Sequence, residues 1–196
     1  MTKTAIITGA NKGIGLAVAK DLTVKNYQVI LACRDAAKGK MAEEFLGNNA
    51  VFLELDLSKA SSINQFVNQI NSDYSEIDVL YNNAGLIYRD FELTDEGYES
   101  MIAVNYFGSY RLALMLLENL HRRSGRIVQV TSLSMYLART FNLSGLHSED
   151  SFTPSSRYNF TNLLRSMFAI ELENKLKKNI NISCRCSSRS YKVKAV

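Results

Sequence analysis

Three glycines stand in the order Thr8-Gly9-Ala10-Asn11-Lys12-Gly13-Ile14-Gly15, between a short apolar run and a helix-length segment. The chemistry this arrangement serves is anion binding. Glycines let the chain turn sharply and bring backbone N–H groups against a pyrophosphate, and a helix N-terminus adds partial positive charge for the same anion. The spacing G-x-x-x-G-x-G is a variant of the dinucleotide fingerprint. Glycines also mark ordinary turns; their place between a first strand and a first helix is what gives the cluster meaning. Thr8, Gly9, Asn11, Lys12, Gly13, Ile14 and Gly15 are therefore expected to bind a dinucleotide. A metal centre is not expected. His121 and His147 stand alone, and Cys33, Cys184 and Cys186 form neither a disulfide framework nor a paired C-x-x-C spacing.

The elements that must position this turn follow from hydrophobic patterning. Lys3 to Thr8, Gln28 to Cys33, Val51 to Leu55, Ile77 to Tyr81 and Arg126 to Thr131 are compact apolar runs, as in strands buried on both faces of a parallel sheet. Between them lie helix-length segments at Gly13–Lys25, Ala36–Leu46, Lys59–Asn71 and about Thr94–Leu120. The third carries Ile63, Phe66, Val67 and Ile70 as one apolar stripe, with Ser58 as its expected N-cap. Ser134 to Ser156 is polar, holds the only proline and reads as a long loop. A further helix is expected from about Ser155 to Lys178, then a sixth strand over Asn179–Cys184. This alternation predicts an α/β fold, a doubly wound parallel sheet of about six strands in the order 3-2-1-4-5-6, with no seventh strand. One domain over 1–184 and a basic irregular tail over 185–196 complete the organisation.

Composition excludes several classes. The chain has 196 residues, 46% hydrophobic and 21% charged, which is ordinary for a globular protein and unlike a disordered or fibrous one. The net charge is +4, yet Lys175 to Val196 holds seven basic residues and no acidic one, so the body is mildly acidic. A nucleic-acid partner is not expected from that distribution. No apolar run is long enough to span a membrane, and neither a secretory signal nor a transit peptide is legible at the N-terminus. The expected location is cytoplasmic.

Further motifs follow in order, and together they carry a resemblance. Asn82-Asn83-Ala84-Gly85 follows the fourth strand; Asp56 ends the third; Asn105 lies in V-N-Y-F-G; Ser132 ends I-V-Q-V-T-S; Tyr158 opens the last long helix. With T-G-x-x-x-G-I-G these look like the short-chain dehydrogenase/reductase family, and A-N-K-G-I-G and L-A-C-R-D look most like its carbonyl reductase and retinol dehydrogenase branches. The resemblance covers residue 3 to about 183. It implies that Asn83, Ala84 and Gly85 flank the cofactor, that Asp56 with Leu57 meets the adenine, and that Asn105, Ser132 and Tyr158 are catalytic. The family's fourth, fifth and sixth helices often form a dimer interface, which makes a homo-oligomer possible.

Cofactor choice is argued from charge. An NAD site usually offers an acidic residue at the end of the second strand for the ribose 2′-hydroxyl. Here that strand ends in Cys33-Arg34, with Lys12 nearby, and Asp35 follows. Two cations suit a 2′-phosphate, so NADP is expected before NAD.

The resemblance also exposes a gap. Reducing a carbonyl requires an acid for the developing alkoxide, and an ordinary phenol, with pKa near ~10, exchanges protons poorly at neutral pH. The family lowers the tyrosine pKa with a lysine one turn on, which also holds the nicotinamide ribose. Tyr158-Asn159-Phe160-Thr161-Asn162 puts Asn162 at that position. Arg165, three residues beyond, is placed to approach the same face. The C-terminal run Ser183-Cys184-Arg185-Cys186-Ser187-Ser188 also departs from the family's pattern. The expectation is an oxidoreductase passing a hydride between NADP(H) and a carbonyl or alcohol, with impaired turnover. The alternatives are an NADP-binding protein without turnover and a truncated product without function.

Overall fold

The computed structural model describes residues 2–120, 124–138 and 148–176, together with the backbone of 183–188 and 191–192. Strands β1 (Thr4–Thr8), β2 (Gln28–Cys33), β3 (Ala50–Glu54), β4 (Val79–Asn82), β5 (Arg126–Val130), β6 (Ser183–Ser188) and β7 (Tyr191–Lys192) form one sheet in the order β3-β2-β1-β4-β5-β6-β7. Neighbours from β3 to β6 pair in parallel, with Ile6 opposite Ile30 and Ile7 opposite Leu31. The doubly wound expectation holds.

Adjacent strand residues serve opposite faces, because side chains alternate across a strand. Ile6, Ile30 and Leu80 pack with Phe66, Ile70, Leu112 and Phe168 from α3 (Ala60–Asp73), α5 (Ser109–Met115) and α6 (Pro154–Leu176). Ile7, Val29 and Leu31 pack with Ala19 and Ala42 from α1 (Gly13–Val24) and α2 (Ala36–Leu46). Both faces are covered, which is why the strands read as unbroken apolar runs. The stripe Ile63, Phe66, Val67 and Ile70 is buried as expected.

The structure departs from the sequence reading in four places. The expected helix over Thr94–Leu120 begins only at Ser100. Gly97 takes φ +78° in a turn, and the Glu99 carboxylate accepts from the N–H groups of Met101 and Ile102 at 2.9 and 3.0 Å. A short α4 (Ser100–Ile102) then passes through a π-helical turn, Ala103–Gly108, into α5. Ser58 does not cap α3: its hydroxyl donates to Asp56 Oδ1 at 2.6 Å, and the distant Glu96 accepts from Ala60 N at 2.7 Å. Of the strand expected over Asn179–Cys184, residues 179–182 lie outside the described residues; β6 takes in Ser183 and Cys184 and runs on to Ser188, where no strand is expected. Its residues are polar, but the open edge of β5 offers unpaired backbone groups whatever the side chains are. Finally, a seventh strand of two residues, not expected at all, returns antiparallel along β6, with Ser188 opposite Tyr191.

Within the expected loop, 3₁₀ turns form at Leu133–Leu137 and Glu149–Ser151. His121 and His147, isolated in the sequence and not expected to ligate a metal, lie outside the described residues. Among the described residues no helix is long and apolar enough to cross a membrane, and no group of His, Cys, Asp and Glu is placed to hold a metal. Tyr110, Leu114 and Met115 on α5 and Met167 and Ile170 on α6 remain exposed.

Candidate active site

The carboxyl ends of the strands open into a cleft of about 810 Å³, within the range usual for ligand and cofactor sites. It lies where the strand order reverses beside β1, the position open α/β sheets use for ligands. The glycine turn forms its floor. Gly9 adopts φ +66°, and its N–H donates to the Ala32 carbonyl at 2.8 Å. Gly15 must lack a side chain: a methyl group there would stand 2.4 Å from the Gly9 carbonyl oxygen and 2.7 Å from Asn83 Nδ2. Helix α1 starts without a side-chain cap and without an acidic residue in its first turn, which leaves its positive end to an anion.

The motif after β4 is tied to this turn. Thr8 Oγ1 accepts from the N–H groups of Asn83 and Ala84 at 3.0 and 2.9 Å, while Asn83 Nδ2 donates to the Thr8 carbonyl at 2.9 Å. Thr8 and Asn83 thus join the two backbone turns that a dinucleotide would lie across.

At the other end of the cleft, the Tyr88 side chain beside Arg34, with nearby Asp56 and Asp35, holds its guanidinium above the ordinary range. Asp35 caps α2: its carboxylate accepts from Lys38 N at 3.0 Å and pairs with Lys38 Nζ at 2.6 Å. Those bonds hold its carboxyl below the usual range. The acidic residue beside Arg34 is thus turned onto its own helix. Asp56 does not line the cleft; it accepts from Ser58, while Leu55 and Leu57 form the wall. The Cys33 thiol, buried in that wall, is pushed up to about 11 by burial, then by Asp35 and Glu54.

Ser132, Tyr158, Asn162 and Arg165 line the opposite end. The Ser132 hydroxyl oxygen accepts from Ser134 N at 3.2 Å, which leaves its proton to be donated elsewhere. Tyr158 sits in the second turn of α6. Asn162 is 3% exposed, and its Nδ2 donates back to the Tyr158 carbonyl at 2.9 Å. Asn105 is not in the cleft. Its side chain accepts from Leu86 N at 2.8 Å and donates to the Leu86 carbonyl and to Thr161 Oγ1 at 2.9 and 3.2 Å. The resemblance implies a catalytic Asn105; in the structure its amide holds the segment after Gly85 and α6 in place. The glycine turn, Arg34, Ser132, Tyr158 and Asn162 come together as expected, whereas Asp56 and Asn105 stand back.

Two features are not legible from the sequence. Lys38 lines the cleft beside Arg34, and its only signal is its spacing of three from Asp35. Glu99, fully buried, pairs with Arg157 at 3.6 Å, beside Tyr158. Arg157 lies over the Phe152 ring, which meets Phe91 edge to face at 5.6 Å. Fifty-eight positions separate the two charges, and no local pattern links them.

Comparison with known proteins agrees with this geometry. The sequence profile described as short chain dehydrogenase matches residues 3–141. Retinol dehydrogenase 11 from Mus musculus is 36% identical over 181 residues, covering 89% of this chain and 57% of that protein. Polyprenol dehydrogenase from Homo sapiens is 32% identical, covering 87% and 54%. The chain thus spans little more than half the length of these curated relatives. An uncharacterized protein from Mycobacterium paratuberculosis superposes with a TM-score of 0.86 at 32% identity, over 96% of this chain and 68% of that one. A 3-ketoacyl-(acyl-carrier-protein) reductase from Brucella melitensis, solved with NADH, shares the fold with a TM-score of 0.75 at 22% identity, over 94% and 74%. A profile match over most of the chain, at residues that build one cleft, decides the matter: the chain belongs to the short-chain dehydrogenase family.

Proposed function

We propose that this protein is an oxidoreductase that transfers a hydride between NADP(H) and a carbonyl or alcohol substrate. The observation that carries the reading is the shared cleft: an anion-binding glycine turn, a cationic end at Arg34 and a hydroxyl pair, Ser132 and Tyr158, line one cavity. The residues fit a phosphorylated dinucleotide. Among the described residues, Lys12, Arg34, Lys38 and Arg165 line the cleft against the single carboxylate of Asp35, and the backbone at Gly9 and Gly15 leaves no room for side chains in the cradle.

A bound nicotinamide supplies the hydride. The chain's own residues handle the proton. Ser132 donates a hydrogen bond to the substrate oxygen and polarises the carbonyl, and the Tyr158 hydroxyl delivers the proton that completes the alcohol; both run in reverse for oxidation. Thr8 and Asn83 hold the turns beneath, and Asn105 acts by positioning Leu86 and α6.

One observation favours a second reading, a protein that binds NADP without turnover. The Asn162 amide is folded onto its own helix, so the position one turn after Tyr158 supplies no ammonium. Titration with NADPH, followed by turnover on a panel of ketones and aldehydes that includes retinaldehyde and polyprenal, decides between them. Binding with turnover is the expected result; binding with no turnover across the panel selects the second reading.

Arg34 carries the preference for NADP. Because it is largely exposed, losing its charge-assisted contact to a 2′-phosphate is expected to cost about 1–2 kcal/mol. Arg34→Ala should weaken NADPH binding roughly 5- to 30-fold and NADH binding little. Equal losses for the two cofactors would remove Arg34 from the phosphate site.

A further inference from the structure

Helix α6 carries two adjacent rows of side chains. Tyr158, Asn162 and Arg165, four and then three residues apart, line the cleft. Arg157, Phe160, Thr161 and Leu164 stand about 100° round the same helix and face the chain that runs from Glu99 into the π-helical turn. Arg157 pairs with Glu99 at 3.6 Å, Phe160 and Leu164 pack with Ile102, and Asn105 donates to Thr161 Oγ1 at 3.2 Å. Both rows belong to one stiff helix. Whatever fixes the second row therefore fixes the direction in which the first one points.

The contacts of this anchoring row constrain different things. Apolar packing on Ile102 is non-directional and tolerates a small rotation of the helix. The bond to Thr161 lies nearly a turn beyond Tyr158. Arg157 holds the N-terminal end, where Tyr158 stands. Its guanidinium lies between the Glu99 carboxylate and the Phe152 ring, 5.9 Å from the ring centroid, and Phe152 in turn meets Phe91. Glu99 is not free to follow a moving helix, because its carboxylate also accepts from the N–H groups of Met101 and Ile102. Glu99 is fully buried and Arg157 is 6% exposed. A buried pair adds little net stability over well-packed apolar residues; what it supplies here is direction.

We propose that Arg157 is a positioning residue: clasped by Glu99 and Phe152, it sets the rotation of α6 that aims the Tyr158 hydroxyl into the cleft at the substrate oxygen. The inference rests on the hydride-transfer reading above and deepens it by naming what aims the proton donor. Arg157 itself does not line the cleft. Its loss should therefore appear in the chemical step and leave binding nearly alone. Reacting atoms must meet in a narrow geometry, and a misplacement of about 1 Å can cost ~10²-fold in rate.

The test is steady-state kinetics of the wild type, Arg157→Met and Arg157→Lys on the best substrate of the panel, with NADPH titrations in parallel. Beside it stands the NMR spectrum of each protein, free of cofactor and carrying ring-labelled tyrosine; the Tyr158 signal is the one missing from Tyr158→Phe. Arg157→Met is expected to lower kcat roughly 10- to 100-fold, with KM and the NADPH Kd nearly unchanged, and to move the Tyr158 signal. Arg157→Lys keeps a cation between the carboxylate and the ring, and should recover most of the rate and the wild-type signal. A merely structural role would lower the number of NADPH sites per chain and leave kcat per site as it was. That result overturns the inference, and so does an Arg157→Met variant with unchanged kcat and Tyr158 signal; both leave the hydride-transfer reading standing. If Arg157→Met does not fold, the double variant Glu99→Gln with Arg157→Met, which buries no lone charge, is judged by the same results. A wild type that binds NADPH and reduces nothing on the panel overturns the hydride-transfer reading itself, and the inference with it.

Discussion

Tyr158→Phe is expected to lower carbonyl reduction by roughly 10²- to 10⁴-fold, the range usual for loss of a positioned proton donor. The phenyl ring keeps the volume of the side chain and loses only the hydroxyl. Neighbouring structure should persist, because the contacts that place this turn of α6 run through other groups. Asn162 and Thr161 donate to the Tyr158 backbone carbonyl at 2.9 Å each, and Phe160 and Leu164 pack on Ile102. NADPH affinity should change by far less than turnover. Steady-state rates on the best substrate of the panel, with a parallel cofactor titration, give both quantities. Turnover that survives the substitution would remove Tyr158 from the chemistry.

The second large effect is on stability. Glu99→Ala is expected to destabilise the fold by about 3–5 kcal/mol, the range for breaking a buried ion pair from one side. Glu99 is fully buried and Arg157 is 6% exposed, so the substitution leaves a guanidinium in the interior without its carboxylate. Burial already holds Arg157 below its ordinary range, and Glu99 is the group that opposes this. The same carboxylate caps α4 through Met101 and Ile102, and those N–H groups would lose their acceptor. For a domain of this size the melting temperature should fall by roughly 6–20 °C. Glu99→Gln, which keeps an oxygen for the cap and loses only the charge, should fall less. Thermal unfolding of both variants beside the wild type measures the difference, and an Ala variant as stable as the wild type would show that the pair contributes nothing net.

The centre of the sheet was legible because β1 and β2 are buried on both faces, so their composition announces their place. The glycine turn was legible for a related reason: its function depends on backbone approach, and only glycine tolerates a Cβ site 2.4 Å from another carbonyl. What escaped the sequence depends on partners far along the chain. Asp95, Glu96 and Gly97 resemble the start of a helix, yet Glu96 is spent on the N-terminus of α3 and Gly97 on a turn. The run of β6 past Cys184 escaped because a sheet edge recruits backbone, and those residues carry no apolar signal. Position 165 could be put on the correct helix face by counting, but its grip on Asn82 and Gln129 comes from two other strands.

The π-helical turn at Ala103–Gly108 has a bearing on how this chain is aligned with its relatives. A π turn accommodates one residue more than an α turn, so the side chains before and after it keep different angular time. Rows three or four apart that meet along a regular helix do not carry across it. That is how Ile102 can pack on α6, Asn105 reach Leu86 and Leu112 face the sheet within a single run of chain. The constraint on this stretch is therefore its residue count more than its residue types. A relative with a plain α-helix here would need a one-residue gap, and matching the two position by position would set the wrong side chain opposite Asn105.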